Sequence, residues 1–250
     1  MESKKPIDIV ITTWKREWMT RACLSAIYKN TRTDYRLIII DNGSERAAQL
    51  RYYDEADIYI KMDKNYGLEP IKHLAQHFVE SELFISMDND ILVYDYEGDD
   101  WLMRLIKLME KYPDHGAIAC KPQVLVADTM RHFETDDEIV AFPRIPGYAR
   151  IMRTAWVNEA GAWKDKRPSR GHEEIWICDR FKAMGYKFGW ANFIECWHLF
   201  GREDTDEWGY PKDWKPEDHG HIPVWPIPKN DKKVIRERVG IGIGHTGMCP

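Results

Sequence analysis

Residues 83–90 have the sequence Leu-Phe-Ile-Ser-Met-Asp-Asn-Asp. The stretch from Phe84 to Met87 is almost entirely apolar, which predicts a buried strand, and two carboxylates follow it directly. Because Asp88 and Asp90 stand two residues apart in a turn, both carboxylates, or one of them and a water, can face a hard divalent cation that bridges diphosphate oxygens. The other interpretation is a strand that ends in a solvated acidic loop.

Strand-like and helix-like patterns alternate around this stretch. Apolar, β-branched runs predict strands, and apolar residues at helical spacing predict helices. The predicted strands cover 7–12, 35–40, 58–62, 83–87 and 117–120, and the predicted helices cover 18–28, 71–78, 101–112, 154–160 and 174–184. We therefore expect an α/β fold with a mainly parallel sheet flanked by helices, and a ligand site at the carboxyl ends of the strands.

The composition fits one globular domain of 250 residues. With 44% hydrophobic and 12% aromatic residues, burial can offset the entropy of ordering the chain. We expect one domain over residues 1–200, followed by an irregular C-terminal extension over 201–250 that packs on the domain or covers its site.

Charge, apolar runs and cysteines exclude several other classes. The net charge of −5 gives no overall attraction to nucleic acid. No apolar run approaches the roughly 20 residues that cross a bilayer, and no signal peptide is visible, so we expect a cytoplasmic protein. The five cysteines form no C-x-x-C pair, which favours reduced thiols over disulfides or structural zinc.

Several short stretches, taken in order, resemble glycosyltransferases of the GT-A fold, close to the inverting family 2. They are Ile-Val-Ile-Thr-Thr-Trp at 9–14, Ile-Ile-Ile-Asp-Asn-Gly-Ser at 38–44, Asn-Tyr-Gly-Leu at 65–68 and Ser-Met-Asp-Asn-Asp at 86–90. The resemblance continues at 161–163, 172–174, 185–187 and 198, and so covers about residues 6–200. It implies a nucleotide-sugar donor bound at the strand ends.

The resemblance also implies which residues contact the donor. The implied contacts are Thr12, Thr13 and Trp14 after the first predicted strand, Asp41 and Asn42 after the second, Asn65, and Asp88. Family members commonly present an acidic residue to the base of UDP in the turn that holds Asp41 and Asn42. The resemblance therefore makes UDP the expected nucleotide. Because Asn42 stands where that Asp is expected, another base stays open.

Asp88 and Asp90 match the metal motif of the family, which implies Mn²⁺ or Mg²⁺ as the cofactor, with Asp90 as the direct ligand. His198 matches a histidine that completes the metal or diphosphate site in some relatives. The other interpretation of His198 is a histidine packed beside Trp197.

An inverting transfer needs one group that takes the proton from the acceptor hydroxyl. The resemblance implies an acidic pair, Glu173 and Glu174, whose second member is the base. Both open a predicted helix, where the positive end of the helix dipole stabilises a carboxylate. Capping of the helix is the other interpretation of the pair. Arg180 is expected to support the helix or the diphosphate, and Trp163 to shape the acceptor pocket.

Together these residues predict a metal-dependent, inverting glycosyltransferase that moves a sugar from a nucleotide-diphosphate donor to a hydroxyl acceptor. The expected acceptor is a saccharide, because several tryptophans can stack on sugar faces: Trp163, Trp190, Trp208, Trp214 and Trp225. The same side chains can stack on bases, so a hydroxylated base in DNA stays open, although the net charge does not favour it.

Two other functions stay open. A nucleotidyltransferase on a similar scaffold would also use an acidic metal site, but it would normally hold its triphosphate with a glycine-rich loop, and residues 12–16 contain no glycine. The second is a nucleotide-sugar-binding module that has lost catalysis.

Overall fold

The computed structural model describes residues 5–44, 56–122, 135–142, 144–145, 147–161, 163 and 172–199. The strands are β1 (Ile7–Thr13), β2 (Tyr35–Asp41), β3 (Ile58–Lys61), β4 (Leu83–Asp88), β5 (Ile91–Val93), β6 (His115–Pro122), β7 (Ile139–Ala141), β8 (Arg150–Arg153) and β9 (Lys187–His198). The helices are α1 (Glu17–Asn30), α2 (Leu68–Gln76), α3 (Trp101–Lys111), α4 (Thr154–Glu159) and α5 (His172–Ala183). The extension expected at 201–250 lies outside the described residues.

The strands form one sheet in the order β3-β2-β1-β4-β8-β6-β9-β5, with β7 paired to β9. The first four strands are parallel, and β6 is parallel to β9. The strand order reverses at β1: β2 and β3 lie on one side of it, and β4 lies on the other. In such sheets ligands bind in the crevice at the carboxyl ends of the strands on either side of the reversal, which here are β1 and β4.

Helices cover both faces of the sheet and create two separate cores. On one face, α1 and α3 pack through residues such as Leu24 and Leu105. On the other face, α2 and α5 contribute residues such as Ile71 and Ile177. Because both faces are covered, central strands such as β1 are apolar along almost their whole length, as expected for a parallel layer.

Each predicted strand and helix of the sequence analysis is present within a few residues. The sheet differs from the expected, mainly parallel one because its second half adds antiparallel pairs, between β4 and β8, β6 and β8, β5 and β9, and β7 and β9. Sequence patterns did not predict β5, β7, β8 or β9. β5 and β7 have only three residues each, and β8 begins and ends with arginine. Such stretches have little local preference for a strand, so pairing with distant strands is what makes them strands.

Strand β9 extends over twelve residues and changes partners along its length. It pairs with β6 from Lys187 to Ala191 and, after a register irregularity, again at Glu195 and Cys196. Its last three residues also pair with β5, His198 opposite Ile91. The Leu199 N–H then donates to the Asp90 carbonyl at 2.9 Å, so the end of β9 lies at the acidic turn after β4.

Four of the five cysteines lie within the described residues, and each is a buried free thiol. Among the described helices, none combines the length and the apolarity that crossing a bilayer would require.

Asp100 provides a test of the fold that is independent of the ligand site. Its carboxylate accepts hydrogen bonds from the N–H groups of Met103 at the start of α3 and of Arg32 and Thr33, and from the Thr33 hydroxyl. Burial opposes the charge, but the bonds from Met103, Thr33 and Arg32 outweigh it and lower the pKa of Asp100 below its ordinary value of 3.8.

We expect Asp100→Asn to reduce the free energy of unfolding by about 1–2 kcal/mol at pH 7, because an amide nitrogen in place of Oδ2 cannot accept the bonds from the N–H groups of Arg32 and Thr33. Because the folded pKa is depressed, this contribution is present above pH 3.8 and is lost as the pH falls through the lower folded value. Urea unfolding of both proteins between pH 7 and pH 3 should therefore show the two stabilities converge in acid. The exposed neighbour change Asp99→Asn is the control, and a gap that stays constant with pH would contradict the assignment.

Candidate functional site

The acidic turn lies at the carboxyl edge of the sheet, beside the reversal in strand order. Asp88 is the last residue of β4 and pairs in register with Thr12 of β1. The Asp88 N–H donates to the carbonyl of Gly147 at 3.0 Å. The side chain of Asp88 is partly exposed, whereas that of Asp90 is only 4% exposed.

Asn89, between the two aspartates, anchors the turn to the core. Its buried Nδ2 donates to the hydroxyl oxygens of Thr13 at 3.1 Å and Thr20 at 2.8 Å. The bonds join the ends of β4 and β1 to the first turns of α1. Since a buried amide that loses its partners is costly, Asn89 holds its two neighbours in place. The sequence analysis did not identify Asn89, although an amide between two carboxylates was a visible signal.

An arginine and a histidine face one oxygen of Asp90. Nη1 of Arg16 lies 2.7 Å from Asp90 Oδ2, and Nε2 of His198 lies 3.3 Å from the same oxygen. Within the described part of the chain, Asp90 Oδ1 is buried and has no hydrogen-bond partner. A buried carboxylate oxygen without a donor is suited to a hard cation.

Asp88 is held between Lys72 and Gly147. The Nζ of Lys72, on α2, lies 3.8 Å from Asp88 Oδ1, and this lysine is only 1% exposed. A Cβ atom added to Gly147 would lie 2.5 Å from Asp88 Oδ2, so only glycine allows the backbone this close to the carboxylate. Neither Lys72 nor Gly147 was identified from the sequence. A lysine next to Ile71 on the apolar side of a helix was the available signal.

Glu174 reaches the same place from the other half of the chain. It is the third residue of α5, and its Oε1 accepts a hydrogen bond of 2.9 Å from the N–H of Gly147. Gly147 therefore contacts Glu174 through its N–H and Asp88 through its carbonyl and Cα. The structure thus brings Asp88, Asp90, His198 and Glu174 together. Glu173 lies in α5, but its side chain is outside the described ones.

Tyr148 completes this group and was missed by the sequence analysis. Its ring lies 4.6 Å from the His198 ring, between centroids, and 5.8 Å from that of Trp190. Burial, and after it the negative charges of Glu174 and Asp88, raises the pKa of the Tyr148 phenol. Its hydroxyl group therefore stays protonated at neutral pH and can donate a hydrogen bond.

The loop between β1 and α1 borders the site on the other side. Lys15 and Arg16 both have positive φ angles, 58° and 53°, a conformation that costs a residue with a side chain about 1–3 kcal/mol. The N–H of Lys15 donates to Ser44 Oγ at 2.8 Å, which fixes the loop against the end of β2. Trp14 is left exposed, with the ammonium group of Lys15 5.3 Å from its ring centroid.

Asp41 and Asn42 are engaged inside the protein. Asp41 is buried, and its two oxygens accept bonds from the Ser44 N–H at 2.8 Å and the Tyr59 hydroxyl at 3.2 Å. Burial raises the pKa of Asp41, although these bonds oppose the shift. The Asn42 side chain bonds the 65–67 loop. Its Nδ2 donates to Asn65 Oδ1 and to the Gly67 carbonyl, and its Oδ1 accepts from the Tyr66 N–H. In this structure these residues shape the turn, and a contact with a base stays a prediction for them.

Trp163 was expected to shape the acceptor pocket, and Arg180 to support the helix or the diphosphate. Trp163 is 3% exposed, packs in the core, and has the guanidinium of Arg150 5.9 Å from its ring centroid. Arg180 is exposed on α5, with its guanidinium 5.1 Å from the ring centroid of Trp176. Trp190 is also buried, so neither it nor Trp163 offers an open face to a sugar. Trp208, Trp214 and Trp225 lie outside the described residues.

Asp88 and Asp90 offer the oxygen ligands that Mn²⁺ and Mg²⁺ prefer. Among the described residues, no three His, Cys, Asp or Glu side chains are arranged to enclose a metal ion by themselves. The buried Oδ1 of Asp90 and the close approach of Gly147 to Asp88 nevertheless fit a cation whose other ligands are waters and phosphate oxygens. Mg²⁺ commonly binds in this way, through one or two carboxylates.

Comparison with known proteins supports the resemblance found in the sequence. Residues 8–163 match the model of "Glycosyl transferase family 2". A teichoic acid poly(glycerol phosphate) polymerase from Staphylococcus epidermidis is 26% identical over 161 residues, which is 60% of this chain. The match covers only 22% of that much longer relative.

Two solved structures share the fold. Mannosyltransferase PcManGT from Pyrobaculum calidifontis, in complex with GDP-Man and Mn²⁺, superimposes with a TM-score of 0.64 and 15% identity over 79% of this chain and 58% of that one. GalNAc-T7 with UDP, GalNAc and Mn²⁺ superimposes with a TM-score of 0.62 and 16% identity, over 95% of this chain and 55% of that one. The expected α/β GT-A fold is confirmed, and the family match over more than half of the sequence shows that the chain belongs to glycosyl transferase family 2.

Proposed function

We propose that this protein is a metal-dependent, inverting glycosyltransferase that moves a sugar from a nucleotide-diphosphate donor to a hydroxyl group. One observation carries the proposal: Gly147 links the Glu174 carboxylate to Asp88 through hydrogen bonds of 2.9 Å and 3.0 Å. A base and an acidic turn suited to a cation therefore lie side by side. Direct displacement requires this arrangement, with the base next to the bond that is broken.

The donor occupies the crevice between the ends of β1 and β4, where Thr12 lies beside Asp88. Asp90 Oδ1 and Asp88 hold the divalent cation, which when bound neutralises charge on the departing diphosphate. The positively charged groups around the turn, Arg16 and Lys72, add to this neutralisation. UDP is the nucleotide we propose first, with GDP as the alternative to test, because relatives of this fold were solved with each.

Glu174 takes the proton from the acceptor hydroxyl as its oxygen attacks the anomeric carbon. The Gly147 N–H bonds Oε1 and so fixes the orientation of the carboxylate, and the start of α5 stabilises its charge. The acceptor that we propose is a saccharide. A sugar hydroxyl can also accept from the Tyr148 phenol, whose ring contacts that of His198 and whose pKa is raised by burial and by the charges of Glu174 and Asp88.

Two substitutions separate donor binding from transfer. Asp90→Ala removes the buried carboxylate and should abolish Mn²⁺-dependent binding of the nucleotide sugar, measured by isothermal titration with UDP- and GDP-sugars. Glu174→Gln keeps the hydrogen bond from Gly147 and the shape of the site, so binding should persist while kcat falls about a hundred- to ten-thousand-fold.

Asp99→Ala, which removes an exposed carboxylate that pairs with Lys107 and not with the site, is the matched control for both variants. Three results would contradict the proposal: no nucleotide sugar binds with Mn²⁺, a nucleoside triphosphate releases pyrophosphate instead, or a bound donor is never transferred to any saccharide. The second result would indicate a nucleotidyltransferase, and the third a binding module.

Tyr148→Phe tests the role of the phenol. The ring contacts with His198 and Trp190 are retained, and the described residues give the hydroxyl no hydrogen bond, so the melting temperature should stay the same. We expect kcat/KM for transfer to fall about three- to tenfold, the value of one hydrogen bond to substrate. Steady-state kinetics with a saccharide acceptor measure this, and unchanged kinetics would assign Tyr148 to packing alone.

A further inference from the structure

We propose that Arg16 is a placeholder cation: it neutralises Asp90 while the site is empty and moves to the donor diphosphate when a divalent cation binds to Asp90. Arg16 would then couple the binding of the metal to the binding of the donor. This inference rests on the proposed function, since it needs a metal at Asp90 and a diphosphate beside it.

The first observation is the ion pair itself. Arg16 Nη1 lies 2.7 Å from Asp90 Oδ2, and the two partners differ greatly in exposure, 41% for the arginine and 4% for the aspartate. A charged partner stabilises a carboxylate this deeply buried, whereas removing that partner is costly. A divalent cation supplies that charge when bound, and it also repels a guanidinium at this distance.

The second observation identifies which cation can leave. Three positively charged or protonatable groups surround the acidic turn: Lys72 is 1% exposed, His198 is 14% exposed, and Arg16 is 41% exposed. Lys72 and His198 are enclosed by their surroundings, whereas the Arg16 side chain has open solvent around it. Arg16 is therefore the group that can change partners without unpacking the core.

The third observation is the backbone of the loop. Lys15 and Arg16 are consecutive residues with positive φ angles, and Arg16 occupies the position before α1 without forming a side-chain cap. An asparagine, aspartate or serine there would cap the helix. The strained conformation is instead held by the bond from the Lys15 N–H to Ser44 and by the Thr20 N–H, which donates to the Arg16 carbonyl at 3.0 Å. Strain of this kind is concentrated at functional sites.

The chemistry of the Arg16 guanidinium also fits the donor diphosphate. Its planar set of N–H donors matches two phosphate oxygens as well as a carboxylate, so the exchange of one anion for another preserves the charge-assisted bonds. The positive end of α1, a helix of fourteen residues that begins next to Arg16, lies at the same place. A diphosphate there meets both, and the metal then no longer competes with Arg16 for Asp90.

The coupling is tested by titrating Mn²⁺ into the protein, with and without UDP, and by repeating the titration with GDP. The variants are Arg16→Ala and Arg16→Asn; the second keeps a residue that tolerates positive φ in case the first does not fold. Arg21→Ala is the control, since it removes an arginine of α1 that pairs with Glu17.

Without nucleotide, both Arg16 variants should bind Mn²⁺ about five- to tenfold more tightly than the natural protein, and with Mn²⁺ present they should bind the nucleotide about five- to tenfold more weakly. Arg21→Ala should match the natural protein in both titrations. Mn²⁺ affinity that is unchanged or weaker in the Arg16 variants would overturn the inference and leave the proposed function standing. If the natural protein binds no Mn²⁺ with either nucleotide, both the inference and the proposed function fail.

Discussion

A buried amide beneath the acidic turn is the constraint on which the site depends. Asn89 donates from one nitrogen to the hydroxyls of Thr13 and Thr20, and these bonds join β4, β1 and α1 at a single point inside the protein. In a low-dielectric interior such bonds are strong and their loss is costly, so the backbone on either side of Asn89 has little freedom. Asp88 and Asp90 are the residues on either side. Their positions are therefore set by the core, and a ligand meets carboxylates that are already in place.

Gly147 provides the second fixed point. Its two peptide groups contact Asp88 and Glu174, and a side chain there would collide with the Asp88 carboxylate. One residue of backbone thus holds the carboxylate of the proposed base close to the backbone of Asp88, the last residue of β4. Positioning at this level is what a displacement reaction requires, because small errors in the approach of the reacting atoms reduce the rate strongly.

The charges around the turn follow from its burial. Asp90 faces Arg16 and His198, and Asp88 faces Lys72, so each carboxylate of the turn lies beside a positively charged or protonatable group. These side chains come from the loop before α1, from α2 and from the end of β9. The site is therefore assembled from both halves of the chain, at the reversal of strand order where parallel sheets commonly bind ligands.

Local sequence patterns determined the α/β class, the strands β1 to β4, the main helices and the acidic turn, because apolar periodicity and strand-end carboxylates are properties of short stretches. They also placed Glu174 at the beginning of a helix. Tertiary structure decided the rest. It made β8 and β9 strands through pairing with distant partners, buried Trp163, and used the Asn42 amide on a neighbouring loop. It alone joined Arg16 to Asp90 and Gly147 to Glu174. The physical reason is the same in each case: these contacts link residues far apart in the chain, and their free energy depends on which surfaces meet when the sheet closes, which no local pattern contains.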